Sequence, residues 1–205
     1  MSDEQPAAVT FNPDQLRAEA AVRNAAKAGN AEAQFRLGVM YGNGDGVGLD
    51  YQQALHWFDQ AAAQGHQNAL ITLAWMYANG AGVEADEVRA RTLYLQAAEG
   101  GSAKAQYVVG TLYRFAQYGL DKDIGRAVEW YLKSANQGFA TAQFALGKLL
   151  MEGKHVVRDD AAALQWLSLA HVNGSKRAED YVKHLLKRMD PAEVQRIRER
   201  MTGGA

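Results

Sequence analysis

Between residues 50 and 174 one stripe of side chains is written four times: Ala54, Trp57, Phe58, Ala61; Ala90, Leu93, Tyr94, Ala97; Ala127, Trp130, Tyr131, Ser134; Ala163, Trp166, Leu167, Ala170. The i, i+3, i+4, i+7 spacing puts each set on one face of an amphipathic helix. Asp50, Asp86, Asp123 and Asp159 stand just before the stripes, and Gly65, Gly101, Gly138 and Gly174 follow them, always 15 residues after the aspartate. An aspartate at the N-cap accepts from the orphan N–H groups of the first turn, and a glycine past the last turn permits a positive φ. These signals predict helices close to 51–64, 87–100, 124–137 and 160–173.

A second helix precedes each of these. It opens at Ala33, Ala69, Ala105 and Ala142, which step by 36, 36 and 37 residues, and the aspartates step by 36, 37 and 36. It carries Leu37-Gly38 and Tyr41, Leu73-Ala74 and Tyr77, Val109-Gly110 and Tyr113, Leu146-Gly147 and Leu150. The small second residue lets a neighbouring helix approach closely, which offsets the roughly 1 kcal/mol that glycine costs inside a helix. The connection to the following helix holds Gly44, Gly46 and Val47 in the first copy and Gly80, Gly82 and Val83 in the second, glycines for the reversal and a valine to plug it.

A two-helix unit of this size buries both its apolar faces only when neighbours stack on it. The ends fit that requirement. Residues 13–28 read as a degenerate helix of the second type opening the array, and Ala178 to Met189 as a polar helix closing it. Asp190-Pro191 then gives an N-cap and a first-turn proline for a charged last helix. The expected organisation is an extended or disordered segment 1–12 followed by one array over 13–201, with repeats near 31–66, 67–102, 103–139 and 140–175 and capping helices over 176–201.

The repeated pattern, A-x-x-x-L-G-x-x-Y-x-x-G-x-G-V-x-x-D-x-x-x-A-x-x-W-x-x-x-A-A-x-x-G, resembles the Sel1-like repeat, a relative of the tetratricopeptide repeat, over residues 31–174. The resemblance implies an all-α, right-handed α/α superhelical solenoid of about four full repeats. It also implies a scaffold or adaptor that binds another protein or peptide in a concave groove. A second reading is an immunity- or inhibitor-type protein that binds and blocks a toxin or enzyme.

Composition narrows the field. The formal charge is −1, and no global field recruits nucleic acid or an anionic membrane. Residues 176–205 hold 8 Lys+Arg against 5 Asp+Glu, a solvated basic face. With no cysteine, thiolate metal sites, disulfides and a cysteine nucleophile are absent. No apolar run reaches membrane-spanning length, and the first residues lack the pattern of a secretory leader, which suggests a cytoplasmic protein. GNGDG at 42–46 lacks the context of a phosphate or calcium loop and reads as a structural turn. Histidines 56, 66, 155, 171 and 184 never pair at i+3 or i+4, so they read as surface or capping residues. The expectation is a protein that is not an enzyme, with no cofactor, no metal, no nucleic-acid partner and no membrane insertion.

By analogy with tetratricopeptide arrays, the groove-lining slots of the first helix of each pair hold Phe35, Ile71, Trp75, Tyr107, Phe144 and Lys148, with Asn79, Arg114 and Phe115 one turn on. Aromatic and arginine side chains of this kind form interaction hot spots. Phe35, Tyr107 and Phe144 fit a contact and packing between neighbours equally well; Trp75, Arg114 and Phe115 depart from the repeat and read as contacts. The third connection is one residue longer, and Ala116 fills the slot of Gly44, Gly80 and Gly153. Without that stop the helix is expected to continue up to a turn toward Gly119, carrying Phe115 and Tyr118 outward beside Arg114.

Overall fold

The computed structural model describes residues 13–201. Among the described residues eleven α-helices follow one another and no strand occurs. They are α1 (Pro13–Lys27), α2 (Ala31–Asn43), α3 (Tyr51–Ala63), α4 (Gln67–Asn79), α5 (Glu87–Glu99), α6 (Ala103–Phe115), α7 (Ile124–Asn136), α8 (Ala140–Glu152), α9 (Asp160–Val172), α10 (Ala178–Leu186) and α11 (Pro191–Met201). The fold is the expected all-α repeat array. Segment 1–12 lies outside the described residues. Two compact units divide after Asp86, the first holding α1–α4 and the second α5–α11.

The eight helices α2–α9 are each 13 residues long, so the 36- and 37-residue steps differ only in their connections. At α3, α7 and α9 the aspartates hold the starts as expected. Asp50 accepts from the N–H groups of Gln52 and Gln53, Asp123 from Arg126 and Asp159 from Ala162. Replacing Asp123 by alanine is expected to cost about 1 kcal/mol, read as a drop in the denaturation midpoint. The same aspartates close the connection through the main chain. The N–H groups of Asp50, Asp86, Asp123 and Asp159 donate to the carbonyls of Tyr41, Tyr77, Tyr113 and Leu150 at 2.9 to 3.1 Å.

Caps on the preceding helices were not legible as a motif, because three residue types share the task. Asn30, His66 and Ser102 accept from the N–H groups of Ala33, Ala69 and Ala105. His66 accepts through Nδ1, and its Nε2 stands 3.0 Å from Glu32 Oε2. That hydrogen bond first, and the one from Arg36 second, hold the Glu32 carboxyl below its ordinary pKa.

In the first unit, Ala26, Ala33 and Leu37 form a core with Val22, Met40, Tyr41 and Trp57 packed around it. In the second, Ala127, Tyr131, Ala145 and Leu149 form one cluster, and Leu164, Leu167, Leu185 and Ile197 seal the far end beneath α10 and α11. The small residues act as the pattern suggests. A Cβ on Gly110 would fall 2.8 Å from the Tyr131 ring, and one on Gly147 would fall 2.7 Å from Leu167 Cγ.

A second internal ladder is polar. Gln34, Gln106 and Gln143 are buried, and each donates Nε2 to a main-chain carbonyl eight residues back: Ala26, Ala98 and Ala135, at 3.0 to 3.2 Å. Each Oε1 in turn accepts from an amide just past the next helix, from Gln64, Gln137 and Asn173 at 2.7 to 2.9 Å. At the corresponding positions of the second repeat the sequence has Leu70 and Gly100, so both amide side chains disappear together. A glutamine kept at position 70 without its partner would leave a buried amide oxygen unmatched, whereas the partner amides Gln64, Gln137 and Asn173 are exposed and can turn to water.

Candidate functional site

The sequence-selected residues separate by burial. Ile71 is buried in the core of the first unit. Phe35 is half-buried, stacked on His66 at 4.8 Å and tilted against Phe58 at 5.7 Å. Tyr107 sits 5.6 Å from Tyr131 and 5.7 Å from Phe139, and Phe144 meets Tyr181 edge-on at 5.2 Å. These three rings pack between helices. Lys148 is half-buried and lies 3.6 Å from Glu152. Trp75, Asn79 and Phe115 are exposed, and Arg114 and Tyr118 are half-buried. Asn79 donates its amide to the Trp75 carbonyl at 2.8 Å.

The expected extension of α6 does not occur. The helix stops at Phe115, and Ala116 itself takes the left-handed conformation (φ 53, ψ 50) that glycine takes in the other repeats. The reason lies in the connection. The Ala116 and Gln117 N–H groups both return to the Leu112 carbonyl, and Asp123 N–H must still reach Tyr113 O, so the chain has to reverse at the same slot whatever residue occupies it. The conformation costs an alanine about 1–2 kcal/mol. Ala116→Gly is therefore expected to raise stability by about 1 kcal/mol in a denaturant titration. Tyr118 is also left-handed (φ 52), held by Arg91 Nη1 donating to its carbonyl at 2.7 Å. Burial first, and the Tyr118 hydroxyl second, push the Tyr94 phenol up to about 12. The result is a tight loop in the second unit that presents Phe115 with the Arg114 guanidinium 5.1 Å from its ring centroid.

In the first unit α2, α3 and α4 line an open cavity of about 170 Å³. Buried Ala54, Phe58 and Met76 form its depth together with Val39 and Gly42, and exposed Tyr51 and Trp75 stand at its mouth. The bare backbone at Gly42 helps to open it. A Cβ there would touch only Ala54 Cβ, at 3.7 Å, whereas Ala78, Arg114 and Met151 occupy the matching slot of the other repeats. Sequence reasoning found Trp75 but missed Gly42 and Tyr51. A glycine within a helix reads as a propensity defect, and Tyr51 looks like an ordinary first-turn residue. Among the described residues no group of three or more His, Asp or Glu is disposed to hold a metal, and no helix is long and apolar enough to cross a membrane.

The sequence model of one family, the Sel1 repeat, matches residues 31–66, 68–102, 103–139 and 140–170. A solved Sel1 repeat protein from Oxalobacter formigenes is 34% identical with a TM-score of 0.79, over 91% of this chain and 78% of that one. The structure of c5321, a protective antigen present in uropathogenic Escherichia coli strains, is 28% identical with a TM-score of 0.77. That match covers 89% of this chain and 39% of c5321. No functionally curated protein matches by sequence.

Proposed function

As the chain belongs to the Sel1 repeat family, whose repeats in general serve protein–protein interaction, we propose that it is a non-catalytic scaffold or adaptor that grips a peptide or a partner's helix. The observation that carries this reading is the exposed Trp75 at the mouth of an apolar cavity. A large indole left about half exposed (54%) beside a depression lined by Phe58 and Met76 gives a partner a desolvated anchor point. The Arg114–Phe115 loop of the second unit is a second contact of the same chemical type. A protein partner fits better than nucleic acid, since the charge is near balance and basic residues do not track the aromatics.

Affinity capture from the source cell, quantified by mass spectrometry, tests the reading. Trp75→Ala should leave stability within about 0.5 kcal/mol, as exposed positions do, while depleting specific captured proteins. Phe115→Ala should deplete the same proteins more weakly. An unchanged captured set with both variants would mean that neither residue contacts a partner.

A further inference from the structure

The charge around the first unit's cavity is predominantly acidic, with Arg23 of α1, whose Nη2 donates to the Gly46 carbonyl at 3.2 Å, as a basic neighbour of the first connection. From Leu37 to Asp86 the sequence contains no lysine and no arginine but five acids: Asp45, Asp50, Asp59, Glu84 and Asp86. Four of these sit in the connections 44–50 and 80–86, and all four are exposed. Both connections adjoin the cavity mouth. Asp45 accepts from the amide of Asn43, a lining residue, at 3.1 Å, and Asp50 immediately precedes Tyr51. The second connection is tied to the start of α3 by Gln52 Nε2 donating to Gly82 O at 2.7 Å. The cavity thus combines a neutral, largely apolar interior with an acidic border.

We propose that this cavity receives one apolar side chain, an aromatic ring or a branched aliphatic group, presented by a basic peptide segment. The inference rests on the interaction role above and names the chemistry of its partner. Size fixes the first half: an apolar cavity of about 150 Å³ holds a benzene ring, and this one measures about 170 Å³. Charge fixes the second half. Acids outnumber bases along the two connections, so lysine or arginine flanking the anchor meets a net negative border, whereas an acidic flank meets net repulsion.

The test uses three blocked synthetic peptides of equal length titrated into the full chain by calorimetry. One has phenylalanine between pairs of lysines, one replaces phenylalanine by serine, and one replaces the lysines by glutamates. The first is expected to bind at least about tenfold tighter than either other, with affinity falling as salt rises. Gly42→Met, which fills the cavity with the side chain of the fourth repeat, should erase that preference. Gly42→Ala, whose added methyl makes only an ordinary contact with Ala54 Cβ, should keep the fold and weaken the phenylalanine peptide several-fold, and unaltered binding to it overturns the proposal where the methionine variant does not fold. Three affinities within about threefold of one another, or unaltered binding to folded Gly42→Met, would overturn the proposal. If Trp75→Ala still depletes captured proteins in that event, the interaction role stands and only the basic, apolar-anchored partner is lost.

Discussion

Gly110→Val is expected to be the most damaging of the substitutions considered, lowering stability by about 3 kcal/mol in a urea titration. The first carbon added would sit 2.8 and 2.9 Å from two atoms of the Tyr131 ring and 3.0 Å from the Ala127 carbonyl. Tyr131 is 1% exposed, so its ring has no free space to enter, and its hydroxyl lies 3.1 Å from Thr111 Oγ1. The carbonyl belongs to the helix backbone and yields less still. Gly42 is the control. It lies on the first helix of its repeat as Gly110 does, but faces the cavity, so Gly42→Ala should instead raise stability by about 0.5–1 kcal/mol through helix propensity alone. Equal effects at the two glycines would remove the close-approach explanation.

The second large effect concerns the buried amides. Gln143→Ala is expected to cost about 2–3 kcal/mol, since it deletes two hydrogen bonds and leaves a void at a site only 3% exposed. Gln143→Leu should be nearly neutral. The Ala135 carbonyl keeps the Gly138 N–H at 2.9 Å, and exposed Asn173 can turn its amide to water. The second repeat already carries leucine at this position, as Leu70, 2% exposed. Thermal midpoints of the two variants decide the matter. A leucine variant as unstable as the alanine one would show that the amide network contributes beyond the volume of its side chain.

What the sequence made legible follows from how local each signal is. The helices following Asp50, Asp86, Asp123 and Asp159 end within a residue of their expected limits, because cap, stripe and glycine stop all lie within one segment. The end of α6 was misjudged for the complementary reason. A missing glycine is a local cue, whereas the reversal at Ala116 is imposed by hydrogen bonds that span the whole connection. The glutamine ladder escaped notice because a polar residue beside the marker alanine reads as surface until its two partners, about 8 and 30 residues away, are in view. Among the site candidates, the pattern could not separate Ile71, which is buried, from Trp75, which is exposed, since both lie along one helix of regular composition.

The double use of a capping aspartate such as Asp50, Asp123 or Asp159 has a further consequence. Its side chain starts one helix and its N–H ties the connection back to the helix before, so the two helices keep their lengths whether the step is nine positions, as from Tyr41 to Asp50, or ten, as from Tyr113 to Asp123. An insertion between these anchors changes the shape of the connection while the flanking helices keep their lengths. Each connection can therefore differ in length and shape without altering its helices, and one extra residue is enough to give a differently shaped loop, as at residues 116–119.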